Sequence, residues 1–332
     1  MTRQQPILSI KDISVEYDLQ GERFDAISDI SLDVAEGETL GLVGESGCGK
    51  STIGRAIIQL PSPTRGSVVF EGKELTGLDR GEMRGLRRRL QIIFQDPISS
   101  LNPRRKVKDI VAEPLVIAGV FDYAERERRV RDVLTAVGIE PDTAIDRLPH
   151  QFSGGQCQRI CIARALIMEP KFIICDEPVS ALDVSVQAQI LNLLVDLKER
   201  YGLALLFISH DLAVVKNLSD RVAVMYLGRI CELADSTRIY EAPAHPYSEG
   251  LMSSVLEISH DGEASPKSGL IGEIPSPLSA PSGCCFRTRC LYAQEKCAEI
   301  QPELRQIKTG HYVACHFPLT DSQQTFFTTC AI

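Results

Sequence analysis

A glycine-rich stretch of this sequence ends in a lysine and two hydroxyl residues. Its members are, in order, Gly44, Glu45, Ser46, Gly47, Cys48, Gly49, Lys50, Ser51 and Thr52. Glycines allow successive backbone N–H groups to converge on an anion, because no Cβ atom stands in the way. In this spacing the lysine contacts the β- and γ-phosphates of a nucleotide, and the serine hydroxyl is a ligand of Mg²⁺. The stretch therefore predicts a phosphate-binding loop.

The elements on either side of this loop suit that chemistry. The apolar run Thr39–Val43 precedes the loop and predicts a short buried strand. Residues 51–60 follow with helical spacing until Pro61 stops the pattern. A strand, a glycine-rich loop and a helix in this order place the positive end of the helix dipole at the phosphates.

Two neighbouring carboxylates follow another apolar run, Lys171–Cys175. Ligands bind at the carboxyl ends of strands in doubly wound sheets, and this is where Asp176 and Glu177 lie. Asp176 suits the coordination shell of Mg²⁺, since hard cations prefer oxygen ligands. Glu177 lies one residue further and suits a general base that polarises the attacking water.

The hydrophobic pattern predicts an α/β fold with a parallel sheet. Lys171–Cys175 and Leu203–Ile208 are short and almost wholly apolar, and the residues between them have helical spacing that ends at Gly202. Apolar and polar residues alternate at 10–17 and 30–34, which predicts an antiparallel β subdomain. The apolar residues of 96–165 have helical spacing, which predicts a helical subdomain.

Composition and charge exclude several classes of function. The 332 residues include 36 Lys and Arg against 44 Asp and Glu, and the net charge of −8 disfavours binding to nucleic acid. The basic residues between Arg84 and Arg89 favour a solvated helix face. The apolar runs are far shorter than the roughly 20 residues that span a bilayer. The first six residues lack an apolar leader, so we expect a cytosolic protein.

The pentapeptide Phe152–Gln156 resembles the signature sequence of ABC transporter ATP-binding subunits, with Phe152 where Leu is usual. Other elements of that family occur in the same order along the chain. Gln95 is similar to its Q-loop glutamine, 180–183 to its D-loop, and His210 to its switch histidine. Tyr17 is similar to the aromatic residue that stacks on adenine, and Phe24 is the alternative.

The resemblance implies a fold and a set of roles. The fold is a P-loop NTPase core of the ABC type with the β and helical subdomains described above. Gln95 senses the metal and the attacking water, and His210 contacts the γ-phosphate. Ser153, Gly154 and Gly155 of the signature act across an interface, on the ATP of a partner subunit. Gln156 and Asp183 also belong to the nucleotide-binding residues that the resemblance implies.

Four further segments resemble the oligopeptide/dipeptide and nickel importer branch of this family: 95–104, 175–184, 245–247 and 272–277. The resemblance implies an ATPase that powers peptide import from the cytoplasmic face of the inner membrane. Its partners are a second ATPase, a paralogue or a copy, two integral permeases and an extracytoplasmic binding protein. Import of nickel or another small solute, a soluble ABC ATPase of translation or DNA repair, and a non-catalytic subunit stay open as alternatives.

Prolines, glycines and cysteines become frequent beyond residue 235, which predicts a domain boundary between 1–235 and a C-terminal extension, 236–332. Four irregularly spaced cysteines are suited to hold either Zn²⁺ or an iron–sulfur cluster. The third interpretation is that they are free or disulfide-bonded thiols. These are Cys284, Cys290, Cys297 and Cys315, with Cys285 as an alternative to Cys284. The family resemblance favours a [4Fe–4S] cluster. The polar end, 322–332, matches no part of the family and is expected to be mobile.

Overall fold

The computed structural model describes residues 5–19, 21–256, 270 and 272–320, with the backbone alone at 254–256. The polar end at 322–332 lies outside the described residues. The chain divides into two units, each built from separate stretches of sequence. The first unit comprises Met1–Ser9, Asp33–Glu38 and Val69–Ile208. The second unit comprises Ile10–Leu32, Thr39–Val68 and Ser209–Ile332.

The described residues form strands and helices in a mixed order. The strands are β1 (Leu8–Leu19), β2 (Glu22–Val34), β3 (Thr39–Val43), β4 (Arg65–Phe70), β5 (Lys73–Glu74), β6 (Leu90–Ile93), β7 (Phe172–Asp176), β8 (Ala204–Ile208), β9 (Arg221–Tyr226), β10 (Arg229–Asp235), β11 (Arg305–Lys308) and β12 (His311–Val313). The helices are α1 (Lys50–Ile57), α2 (Arg80–Arg87), α3 (Val107–Ile117), α4 (Tyr123–Ala136), α5 (Pro141–Ala144), α6 (Gly154–Leu166), α7 (Val184–Tyr201), α8 (Leu212–Leu218), α9 (Ser236–Glu241), α10 (Pro246–Leu256) and α11 (Glu295–Glu299). Short 3₁₀ helices lie at Pro149–Gln151 and Pro277–Ser279.

The first unit contains three parallel strands in the order β8-β7-β6. Every residue of β7 and β8 is buried, which explains why both segments are almost continuously apolar. The parallel sheet predicted from these runs is therefore confirmed. Between β6 and β7, residues that the structure describes throughout, the chain forms helices and no strand.

In the second unit, β3 pairs in parallel with β9, and the order continues through β10 and β12 to β11. β3 is buried along its whole length and leads directly into the glycine-rich loop and α1. The pairing of β10 with β12 brings residues of the C-terminal extension into the same run of strands as β3. The boundary at 235 stays a prediction.

A buried carboxylate fixes the C-terminal extension to β10. Glu232 is fully buried and accepts backbone N–H groups from Ala244 at 2.7 Å and His245 at 2.9 Å. The Nε2 atom of His311, at the start of β12, lies 2.7 Å from the same carboxylate. A buried charge is stable only when hydrogen bonds satisfy it, so these three partners hold the extension in register.

Among the residues described, none of the helices combines the length and the apolar character that crossing a bilayer requires.

Candidate functional site

The glycine-rich loop of the second unit curls around a buried lysine. Lys50 is only 4% exposed, and its ammonium donates hydrogen bonds to the carbonyl oxygens of Gly44 at 2.8 Å and Glu45 at 3.0 Å. The charge therefore lies inside the curve of the loop, at the N-terminus of α1. Backbone N–H groups, a helix N-terminus and a cation meet here, which is the arrangement that binds phosphate.

All three glycines of the loop have positive φ angles, at +157° for Gly44, and at +80° for Gly47 and +105° for Gly49, which lie in the left-handed region. Their surroundings differ. A Cβ atom on Gly49 would lie 2.6 Å from the carbonyl oxygen of Ala26 and 2.8 Å from the Cε atom of Met225, whereas a Cβ on Gly47 would meet nothing within 4 Å. Gly49 is thus required by both backbone conformation and space, and Gly47 by conformation alone.

The two aromatic candidates for adenine stacking lie next to each other in the second unit. The ring centroids of Tyr17 and Phe24 are 6.3 Å apart, and both side chains are half-buried. The structure therefore favours neither of the two aromatic residues over the other for stacking on adenine.

His210, which was predicted to be the switch histidine, is exposed and follows the end of β8 by two residues.

In the first unit the two predicted carboxylates differ in burial. Asp176 is the last residue of β7 and is 1% exposed, whereas Glu177 is half-buried. Glu177 has a φ of +46°, a strained conformation for a residue with a side chain, and its N–H donates to the carbonyl of Ile208 at 3.0 Å. The Nε2 atom of Gln95 donates to the carboxylate of Glu177 at 3.0 Å. The structure thus brings together two residues predicted to contact the attacking water.

The signature sequence forms the N-terminus of α6 in the first unit. Ser153 caps this helix: its hydroxyl accepts the N–H of Gln156 at 3.3 Å, and its own N–H donates to the Gln156 side chain at 3.0 Å. Gly154 is the first residue of the helix. At Gly155 a Cβ atom would lie 2.4 Å from Val186 of α7, so this position requires glycine.

The D-loop ends where α7 begins, with Asp183 at the N-cap position. Gln187, one turn into α7, reaches back and donates to the carbonyls of Val179 and Leu182, both at 3.0 Å. Gln187 could not be identified from the sequence, because a glutamine in the first turn of a helix carries no signal of its own.

The four cysteines predicted to hold a metal, Cys284, Cys290, Cys297 and Cys315, line a single cavity together with His245 and His316. Burial raises the pKa of Cys290 to about 11 and that of Cys315 to about 12, so these two thiols are protonated at neutral pH when no metal is bound. Within the described ranges, no group of three or more His, Cys, Asp or Glu side chains is placed to hold a metal ion. The thiols suit iron or zinc in chemistry, but their placement does not form a ligand set.

Sequence reasoning also missed a link between the glycine-rich loop and the extension. Arg289 donates two hydrogen bonds to the carboxylate of Glu45, and Tyr247 accepts the Glu45 N–H at 3.0 Å. Glu45 and Arg289 are 244 positions apart, and no local pattern marks either residue as a partner of the other.

Comparison with known proteins agrees with this geometry. Residues 27–180 match the family described as ABC transporter, and residues 231–297 match the oligopeptide/dipeptide transporter C-terminal region. The oligopeptide transport ATP-binding protein OppF of Salmonella typhimurium is 49% identical over 324 residues, which cover 94% of this chain and 96% of OppF. This chain belongs to the ABC transporter family of ATP-binding proteins.

The oligopeptide transport ATP-binding protein AppF of Bacillus subtilis is 45% identical, over 94% of this chain and 98% of its own. A solved dimeric ATP-binding cassette, in a post-hydrolysis state with ADP and Pi, superposes with a TM-score of 0.63 at 30% identity. That match covers 69% of this chain and 98% of the solved one. The predicted ABC-type fold is therefore confirmed.

Replacing Gly47 by alanine and replacing Gly49 by alanine should lower the free energy of unfolding by different amounts. Gly47→Ala should lower the free energy of unfolding by about 1–2 kcal/mol, the cost of a left-handed conformation. Gly49→Ala adds a clash of the Cβ atom with backbone, so we expect a total loss of about 2–5 kcal/mol. Urea denaturation of both variants measures the difference. Equal losses would contradict the close packing of Gly49 against Ala26.

Proposed function

We propose that this chain is the ATP-hydrolysing subunit of an ABC transporter that imports peptides of the dipeptide and oligopeptide class. The observation that carries the proposal is the curled glycine-rich loop with the Lys50 ammonium on the carbonyls of Gly44 and Glu45. OppF and AppF, which are named for oligopeptide transport and ATP binding, match 94% of the chain and so support the choice of substrate.

The loop binds the triphosphate of ATP in this proposal. Lys50 contacts the β- and γ-phosphates, and the backbone N–H groups from Gly44 to Thr52 surround them. Mg²⁺ neutralises phosphate charge when bound, and the oxygen donors that suit it are those of Ser51, Asp176 and Gln95. Tyr17 or Phe24 stacks on the adenine ring.

Hydrolysis depends on Glu177, whose carboxylate polarises the attacking water as a general base. Gln95 donates a hydrogen bond to this carboxylate, which fixes its direction while leaving an acceptor oxygen for the water. His210 contacts the γ-phosphate.

The complete site requires two cassettes. The capped N-terminus of α6, with Ser153, Gly154, Gly155 and Gln156, offers donors to the ATP held by a partner ATPase, and Asp183 lies at the same interface. We propose that the partner is a paralogue, and that the pair is peripheral on the cytoplasmic face of the inner membrane. Two integral permeases and an extracytoplasmic binding protein complete the system. Residues 1–235 form the ATPase domain and 236–332 the extension.

Other solutes and other roles are less well supported. Import of nickel or another small solute would use the same ATP chemistry, but neither OppF nor AppF is named for it. A soluble ATPase of translation or DNA repair does not account for the match to an oligopeptide/dipeptide transporter region at 231–297.

Transport is tested in cells that lack this chain. Wild-type chain should restore uptake of a labelled tripeptide, and Lys50→Ala should not, because the phosphates lose a charge-assisted contact. Arg84→Ala, on the exposed surface of α2, is the matched control and should restore uptake fully. Restored uptake of labelled nickel without that of the peptide would replace the substrate assignment.

The general-base role predicts a separation of binding from turnover. Glu177→Gln should bind ATP with nearly unchanged affinity while lowering turnover by about 10²–10⁴-fold, the range that a general base contributes. Phosphate release and nucleotide titration measure the two quantities. Glu199→Gln, an exposed carboxylate on α7, should change neither. Turnover at the native rate in Glu177→Gln would exclude this carboxylate as the base.

We further propose that Cys284, Cys290, Cys297 and Cys315 hold a [4Fe–4S] cluster. Their thiols line one cavity, and they would have to move closer together to form the ligand set that the described residues do not show. Protein purified without oxygen should then be brown, contain about four irons per chain and bleach in air. Cys290→Ser should lose the iron and expose the extension to proteolysis. One zinc per chain would keep the ligands and reject the cluster, and colourless, metal-free protein would reject both.

A further inference from the structure

The C-terminal extension contacts the glycine-rich loop through one arginine. The Nη1 atom of Arg289 lies 2.6 Å from Oε2 of Glu45, and its Nη2 atom lies 3.1 Å from Oε1. The two parallel bonds make a bidentate pair, the strongest and most directional form of an arginine–carboxylate contact. Both residues belong to the second unit.

This ion pair is shielded from water. The Arg289 side chain is 4% exposed and that of Glu45 is 23% exposed. The guanidinium carbon of Arg289 lies 5.7 Å from the ring centroid of Tyr226, which in turn packs on Tyr247 at 4.7 Å and Phe286 at 5.3 Å. These rings lower the local dielectric and strengthen the attraction between the two charges. The contact therefore differs from an exposed ion pair, which contributes little.

Glu45 is also tied to the lysine of the loop through its backbone. Its carbonyl oxygen accepts a hydrogen bond from Lys50 at 3.0 Å, and its N–H donates to the hydroxyl oxygen of Tyr247 at 3.0 Å. Side chain, N–H and carbonyl of one residue are thus all engaged. A displacement of Glu45 would therefore move two backbone groups of the loop, the carbonyl that accepts the hydrogen bond from Lys50 and the N–H of Glu45 itself.

We propose that Arg289 is a positioning residue of the phosphate-binding loop, acting through Glu45. It holds the backbone of the loop in the curled form that accepts a triphosphate, and it neutralises a carboxylate that would otherwise repel the phosphates. The proposal rests on the proposed function, because it assumes that this loop binds ATP.

A structural consequence follows for the extension as a whole. In the sequence, Arg289 lies between Phe286, which packs on the ring of Tyr226, and Cys290, which lines the cavity formed by the four cysteines. Its position depends on the fold of 284–297, so the loop has its full set of contacts only when this part of the extension is folded. The extension is then a component of the nucleotide site rather than an appendage to it.

The test compares full-length variants by titration with MgATP and, assembled with the partner ATPase, by steady-state hydrolysis. Arg289→Ala should weaken MgATP binding about tenfold, equivalent to about 1.4 kcal/mol. KM for ATP should rise by a similar factor, while kcat stays within about twofold, since Gln95 and Glu177 are not altered. A purely structural role would instead reduce the fraction of active protein, which lowers apparent kcat and leaves KM unchanged.

Arg287 provides the matched control on the same segment. Among the described residues its guanidinium bonds to the carbonyl of Ser282 at 2.9 Å and to the Ser282 hydroxyl at 3.3 Å, both within the extension. Arg287→Ala removes an equal charge and should leave the affinity for MgATP unchanged. Arg289→Lys keeps the charge but loses the bidentate geometry, so its affinity should lie between those of Arg289→Ala and wild type. If Arg289→Ala does not fold, native affinity in Arg289→Lys overturns the proposal.

A double-mutant cycle with Glu45→Gln tests whether Arg289 acts on MgATP binding through Glu45. In the Glu45→Gln background the carboxylate is already neutral, so adding Arg289→Ala should change MgATP affinity by less than about threefold. A full tenfold loss in that background would show that Arg289 does not act through Glu45 and would overturn the proposal. Native affinity in Arg289→Ala would do the same while leaving the proposed function intact. Absence of MgATP binding by wild-type protein would overturn both.

Discussion

The hydrogen bonds from the Lys50 ammonium to the carbonyls of Gly44 and Glu45 are the interaction on which the rest of the site depends. A lysine that is 4% exposed must have its charge satisfied by nearby acceptors, and here those acceptors are backbone oxygens of its own loop. The loop can supply them only by curling tightly, which explains its glycines with positive φ. A buried strand before the loop and a helix after it fix the two ends of the curve.

Residues far along the chain also help to hold the loop in its curled form. Glu45 provides one of the two acceptors, and Arg289 holds its side chain from the C-terminal extension. The extension is held in turn by the buried carboxylate of Glu232, which bonds to the backbone at Ala244 and His245 and contacts His311. Tyr247 joins the two groups: its hydroxyl accepts the N–H of Glu45, and its own N–H donates to Nδ1 of His245 at 3.0 Å. Lys50 in the loop and His311 in β12 thus belong to one chain of polar contacts, all within the second unit.

Sequence reasoning succeeded where the governing interactions are local. Thr39–Val43 was predicted as a strand and forms β3, and the helix predicted to end at Gly202 does so with that glycine in the left-handed conformation. The helix expected at 51–60 ends earlier, at Ile57, because Gln59 has a φ of +59°. The pairs Glu45–Arg289 and Glu232–His311 were not predictable, since nothing near either residue in sequence depends on its partner. The assigned roles of the site residues stay predictions.

Hydrogen–deuterium exchange of the full-length chain, with and without MgATP, tests the central claim most directly. If ATP binds in the curled loop and the loop is held by Arg289, amides of 44–52 should exchange more slowly with MgATP present. Amides of 284–290 should slow as well, because ordering the loop also orders the residues bound to Glu45. Unchanged exchange at 44–52 in protein saturated with MgATP would contradict the account.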